Sequence, residues 1–421
     1  MSSCTDYITS RRRFLAQFAG TGALLGMPIN RLVAAIGSAH APKAEAVILF
    51  WNGGGMSHLD TWDPKPGREV GGEFEAIKTS ADGIQISEIF PQLAKQMHHC
   101  SIIRSIAGTN GDHGRATYEL QTSHPQNPAL VHPGLGSFVI NERQKSGDLP
   151  AYISIGGMAP RAGYLGQRCE AYYIGLPGER DPYLAFPDGI HHAQGERRLE
   201  ILAKMNLRTS GKLAARDLKE TDVALKDAVA LMKSPALASF DLDKENPKTL
   251  ERYGLTEFGR GTLLAKKLIE TGVRFVQVNR GGFDNHMDVF PAMRNHGSVM
   301  DPALASLIQD LSASGRLDKT LVIMLSEFGR TPKINKDAGR DHHARVFSCF
   351  LAGGGIKGGQ VIGSSDKDGM APENRPVQVA DIHASVCHAL GIDYTRELTT
   401  PLGRPMKLVK EGAKPVAELF A

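Results

Sequence analysis

Asp284 and His286 stand two residues apart in the stretch GGFDNHMDVF (281–290), just after an apolar run. A carboxylate and an imidazole at that spacing in a turn can face one metal ion or move one proton. The arrangement recurs along the chain. Asn52, Ser57, His58 and Asp60 follow the run AVILFW, with Gly53-Gly54-Gly55 between, and Thr109, Asp112, His113 and Arg115 follow SIIRSI. Ser326, Glu327 and Arg330 follow TLVIML, and GRDHH (339–343) adds Asp341, His342 and His343 in a loop before another apolar run. Carboxylate and imidazole without thiolate suit a hard or borderline divalent ion: zinc, manganese, magnesium or calcium. Taken singly, each cluster also has a structural reading, because Asp and His in Gly-rich turns cap helices or satisfy backbone groups. The pairs His98-His99 and His191-His192 lack the strand-end setting and read as surface residues.

The elements that must position these side chains alternate. Short apolar runs at 46–51, 101–106, 273–278, 320–325 and 347–354 read as strands buried on both faces. Between them, GRGTLLAKKLIETG places Leu263, Leu264 and Leu268 at helical spacing and stops at Gly272. DPALASLIQDLSASG does the same with Leu304, Leu307, Ile308 and Leu311, stopping at Gly315. Strand, helix, strand in this order predicts an α/β fold, a mostly parallel sheet sandwiched by helices. Every polar cluster after a strand then lies at the carboxyl edge of the sheet, where ligands bind in open α/β sheets. The stretch 191–255, rich in Lys, Glu, Leu and Ala, reads as a helical insertion. Without a Pro-rich or Ser-rich linker or a repeat, residues 42–421 form a single domain.

Ser10-Arg11-Arg12-Arg13-Phe14-Leu15 is a twin-arginine signature, and the apolar stretch after it is too weak for a membrane span. Residues 1–41 are therefore expected to be an export signal, with Ala39-His40-Ala41 or Ala44-Glu45-Ala46 as cleavage sites, or an uncleaved anchor. The expected partner is the twin-arginine export machinery, the membrane is met only during export, and the location is periplasmic or extracellular. Four Arg and one Asp in this segment account for +3 of the formal charge of +4, leaving +1 for the rest and no footprint for nucleic acid. Cys100, Cys169, Cys349 and Cys387 show no Cys-x-x-Cys spacing and define neither a zinc site nor a disulfide framework.

The motifs WNGGGMSHLDTWDPKP, FGRGTLLAKKLIETGVRFVQVNRGGFDNH, LSEFGRTPKIN, GRDHH and LAGGGIKGGQVIGSSDKDG resemble the twin-arginine-exported DUF1501 family over nearly the whole mature chain. That family is grouped with the alkaline phosphatase and sulfatase superfamily. The resemblance implies an alkaline phosphatase/sulfatase-like fold with divalent metal at the carboxyl edge of the sheet. Sulfatases carry a nucleophile four residues before an Arg at a helix start. GDHGRATYELQTS is similar to that segment, with Arg115 at the Arg position and Gly111 at the nucleophile position. Glycine has no attacking atom, so the resemblance implies Thr109 as a hydroxyl nucleophile instead, with His113 and Arg115 as its catalytic companions. The Asp pair after the first strand is replaced by Asn52-Gly53, and a Ser-Asp-His-Gly motif by Ser326-Glu327-Phe328-Gly329. Asp284, His286, Glu327 and His342 keep matching surroundings and are the implied ligands, enough for one ion. Asn52, Ser57, His58, Asp60, Asp112, Arg330 and Asp341 fall on the substrate side, and VADIHASVCHALGID is similar to a sulfatase helix. The implied activity is metal-dependent hydrolysis of phosphate or sulfate esters, on a small-molecule or glycan ester. Two other readings stand beside it: a non-catalytic binding protein for sulfated or phosphorylated glycans on the same fold, and a structural or assembly role.

Overall fold

In the computed structural model, residues 42–143, 147–178, 189–209, 230–400 and 403–420 are described. The expected export signal over 1–41 and the middle of the expected helical insertion, 210–229, lie outside them. The insertion's described parts include helices His192–Thr209 and Pro247–Tyr253. No described helix is long and apolar enough to cross a membrane.

The centre is a nine-stranded sheet. Its strands are β1 (Ala46–Asn52), β2 (Cys100–Ala107), β3 (Tyr152–Ile155), β4 (Tyr172–Ile174), β5 (Phe275–Arg280), β6 (Thr320–Leu325), β7 (Phe347–Ala352), β8 (Gln360–Ile362) and β9 (Val377–Gln378). The order is β8-β2-β7-β6-β1-β5-β3-β4, with β9 also on β2. Every neighbouring pair is parallel except those of β7, which runs antiparallel to both β2 and β6. All residues of β1 are buried, as a central strand covered on both faces requires. Its side chains alternate between two cores. Ile48 and Phe50 pack with helices α3 (Glu257–Glu270) and α4 (Val289–Ala313); Val47, Leu49 and Trp51 pack with α2 (Leu135–Glu142) and α5 (Val379–Leu390).

Two expectations need correction in detail. The helix expected from Asp301 begins twelve residues earlier, at Val289, and runs through Pro302. Asp-Pro reads as a helix start in sequence, but Val289, Phe290, Met293 and Met300 supply a buried helical face upstream, and the Asp301 carboxylate instead accepts the backbone N–H groups of Gln92 and Leu93 at 2.8–3.0 Å. GRDHH, expected as a loop, ends in a short strand: His342 and His343 pair antiparallel with Arg330 and Gly329. That hairpin folds the chain after β6 back over the carboxyl edge of the sheet.

Candidate metal centre

Four chain segments meet above the carboxyl ends of β1, β2, β5 and β6. After Asn52 the chain turns through Gly54 and Gly55 at φ of +117° and +75°. A Cβ on Gly54 would stand 2.6 Å from the Asp284 backbone nitrogen, and one on Gly55 2.4 Å from the Phe328 ring, so glycine permits the approach of these loops. Ser326 fastens the first turn to the end of β6. Its hydroxyl donates to Asn52 O at 2.7 Å and accepts the Met56 N–H at 2.7 Å. Helix α1 (His113–Thr122) starts beyond β2, with the Asp112 carboxylate capping the Arg115 N–H at 3.0 Å and His113 as its first residue.

Asp284 Oδ1 is the meeting point. His286 Nε2 lies 3.0 Å from it, His342 Nε2 3.1 Å and His113 Nε2 3.4 Å, and the Arg330 guanidinium donates to the same oxygen. His113, Asp284 and His342 each offer one ligand atom within 4.8 Å of the others. The opposite nitrogen of every ring is committed. His113 Nδ1 donates to Glu327 Oε1 at 2.8 Å, His286 Nδ1 to Asp341 Oδ1 at 2.8 Å, and His342 Nδ1 to the Gly111 carbonyl at 2.7 Å. An imidazole whose Nδ1–H is held by a carboxylate or a carbonyl presents an Nε2 lone pair, which is how metal-binding histidines are oriented. Here two such lone pairs, on His286 and His342, face each other at 3.0 Å, and the buried His113 Nε2 has no hydrogen-bond partner. The Arg330 guanidinium, on Asp284 Oδ1 and 3.5 Å from His286 Nε2, offsets part of the repulsion among these groups, and the imidazole nitrogens and carboxylate oxygen gathered here fit a divalent ion.

Charge supports the same picture. Burial pushes the Asp284 carboxyl up, but the hydrogen bond and positive charge of Arg330 oppose it, and the group is held well below the usual carboxylate range. The hydrogen bond from His286 likewise lowers Asp341. The Phe328 ring packs beneath, 4.9 Å from the His113 ring and 4.8 Å from that of His342.

Of the residues expected as ligands, Asp284, His286 and His342 come together. Glu327 does not join them directly. Its buried carboxylate accepts the Gly54 N–H at 2.8 Å and orients His113, which was expected as a catalytic group and instead turns its Nε2 to the cluster. Of the residues expected at substrate, Asp341 stands behind His286. Arg330 is also withdrawn: its buried guanidinium donates to the Gly54 and Gly55 carbonyls and to Arg340 O as well as to Asp284. Asp60 is fully buried in a two-pronged ion pair with Arg340, at 2.9 and 3.1 Å, which leaves it no face for substrate. Ser57 accepts the Asp60 N–H, and His58 donates Nε2–H to the Gly369 carbonyl at 3.0 Å, with burial pushing its pKa down to about 4. Asn52 is buried and Asp112 caps α1. Thr109 and Arg115 are exposed at the rim, Thr109 on a loop pinned at Gly108 N to Ala344 O and at Gly111 O to His342. Two features leave no signal in residue type: the Gly111 carbonyl that holds His342 Nδ1, and the turn of His113 Nε2 toward Asp284.

The fold and the cluster define an α/β protein with a three-histidine, one-aspartate constellation at the carboxyl edge of its sheet. Residues 44–420 match the family described as "Protein of unknown function (DUF1501)", and the chain belongs to that family. No curated protein matches it. Among solved structures it is similar to Ps i-CgsB, with 12% identity, 83% of this chain and 73% of that chain covered, and a TM-score of 0.42. The PsFucS1 sulfatase from Pseudoalteromonas sp. gives 13%, 86%, 70% and 0.37 in the same order. The C-terminal periplasmic domain of EcEptC from Escherichia coli, solved in complex with Zn, gives 10%, 91%, 97% and 0.38.

Proposed function

We propose that this protein is an exported, metal-dependent hydrolase of phosphate or sulfate esters, with one divalent ion held by His113, Asp284, His286 and His342. The observation that carries the reading is the tautomer pattern: three imidazoles tied down at Nδ1, with their Nε2 atoms turned to a single carboxylate oxygen. Three nitrogens and one oxygen favour zinc over manganese, magnesium and calcium. A bound ion of this kind polarises the ester and stabilises the charge that develops on its oxygens. Arg115, two residues after His113 in the first turn of α1, has no ion-pair partner among the described residues and supplies a planar donor pair for a tetrahedral anion. Thr109 supplies the hydroxyl nucleophile on the pinned loop. Export through the twin-arginine route, signalled by Arg11-Arg12, places the substrate outside the cytoplasm.

A second reading, a binding protein for sulfated or phosphorylated glycans, is favoured by one observation. Gly111 stands where the resemblance puts a nucleophile, and among the described residues no acceptor is hydrogen-bonded to the Thr109 hydroxyl. Turnover separates the two. The metal-loaded protein is offered aryl phosphates, phosphodiesters and aryl sulfates with and without a chelator. Chelator-sensitive hydrolysis that Thr109→Ala abolishes supports the hydrolase; saturable binding without product supports the second reading.

A further inference from the structure

The edge of the sheet opposite the metal centre carries a basic cavity of about 190 Å³ at the amino ends of β1, β5 and β6. At roughly 3.3 Å per residue, the seven residues of β1 put the two ends about 20 Å apart. Arg274, Arg316 and Lys319 line the cavity together with Glu45 and Glu270. The two carboxylates are engaged by lysines: Glu45 Oε1 with Lys319 at 3.0 Å, Glu270 Oε1 with Lys266 at 3.2 Å. The guanidinium groups are not. Among the described residues no carboxylate pairs with Arg274, Arg316 or the neighbouring Arg143, whose charge is felt at Arg274 and Glu45. Arg274 Nη1 donates to Glu45 O at 3.1 Å, but its buried Nε has no acceptor; nor do the buried Nε and Nη2 of Arg143. Burial and the like charge of Arg274 push Arg143 down against the opposite pull of Glu45.

Buried donors without acceptors are costly, and two guanidinium groups side by side repel. A small multivalent oxyanion answers both, because each guanidinium offers parallel N–H groups to paired oxygens. The cavity is many times the roughly 10–15 Å³ that one water needs on this measure, enough for a tetrahedral oxyanion with part of its hydration. From this geometry we infer a second binding site, for phosphate or sulfate, built from Arg274 and Arg316 in the cavity at the amino edge of the sheet. It is separate from the metal centre and independent of the reading proposed for it.

The test is calorimetric titration of the full-length protein with inorganic phosphate and with inorganic sulfate, after removal of metal with a chelator. Saturable binding is expected, weakened about tenfold to a hundredfold by Arg274→Ala. Arg316→Ala, at an exposed position that does not threaten folding, weakens it in the same direction, while His342→Ala leaves it unchanged. Binding that His342→Ala abolishes and the arginine variants do not would assign the anion to the metal centre and overturn the inference. No saturable heat, or heat that vanishes in about 150 mM chloride as for a diffuse basic surface, would overturn it too.

Discussion

Replacing Glu327 separates an orienting role from direct ligation. Its Oε1 is 2.8 Å from both the Gly54 nitrogen and His113 Nδ1, and its side chain is 2% exposed. Glu327→Gln keeps an oxygen able to accept both N–H groups but removes the negative charge that raises the basicity of His113. Loss of an orienting partner costs about tenfold to a hundredfold in metal affinity, and Gln belongs at the lower end. Glu327→Ala also removes the acceptor from a buried N–H, which adds about 1–3 kcal/mol of lost stability and moves affinity to the upper end. The assay is competition for zinc against a chromogenic chelator, paired with urea denaturation. A graded series, wild type above Gln above Ala with the ion still bound in each, is the expected result. Complete loss of the ion in both variants would make Glu327 a ligand, and unchanged affinity in both would remove it from the centre; either outcome refutes the reasoning.

Asp60→Ala should destabilise the fold by about 3–5 kcal/mol in urea, because it leaves the fully buried Arg340 charge uncompensated. His58, His132 and His383 are pushed down to about 4 by burial and are neutral in the folded protein, so the unfolded chain binds more protons between about pH 6.5 and 4. Stability is therefore present above pH 6.5 and falls as pH drops through that window, which urea midpoints at pH 7 and pH 5 will show. Arg115→Lys should lower turnover of a phosphate or sulfate ester by about tenfold with metal content unchanged, a split read by steady-state kinetics beside metal analysis. Arg11→Lys combined with Arg12→Lys should leave the precursor in the cytoplasm on fractionation.

The fold was legible where burial writes itself into composition. TLVIML coincides with β6, and AVILFW and SIIRSI each fall within a residue or two of their strands, because central strands covered on both faces must be continuously apolar. Short β3, β4, β8 and β9 were not legible: YISI, YYI, QVI and VQ are too brief for periodicity and owe their pairing to the strands beside them. At the site, Asp284, His286 and His342 could be read from residue type and strand-end position. The division between ligand and support could not. Whether Glu327 or His113 faces the centre depends on which strand end stands behind the other, and that follows from sheet order, which places β6 next to β1 and β2 two strands further on. Asp60 and Arg340 lie 280 residues apart, and their ion pair exists only once the hairpin after β6 has folded over the β1 loop.

Metal stoichiometry tests the central claim most directly. Protein purified without chelating resins is analysed by inductively coupled plasma mass spectrometry as wild type and as His113→Ala, Asp284→Ala, His286→Ala and His342→Ala, each checked for folding by circular dichroism. The account predicts about one equivalent of a divalent ion, zinc foremost, in the wild type and its loss in every folded variant, although the four positions come from three distant parts of the chain. A folded wild type that takes up no divalent ion, or a folded His342→Ala protein that keeps its full equivalent, would contradict it.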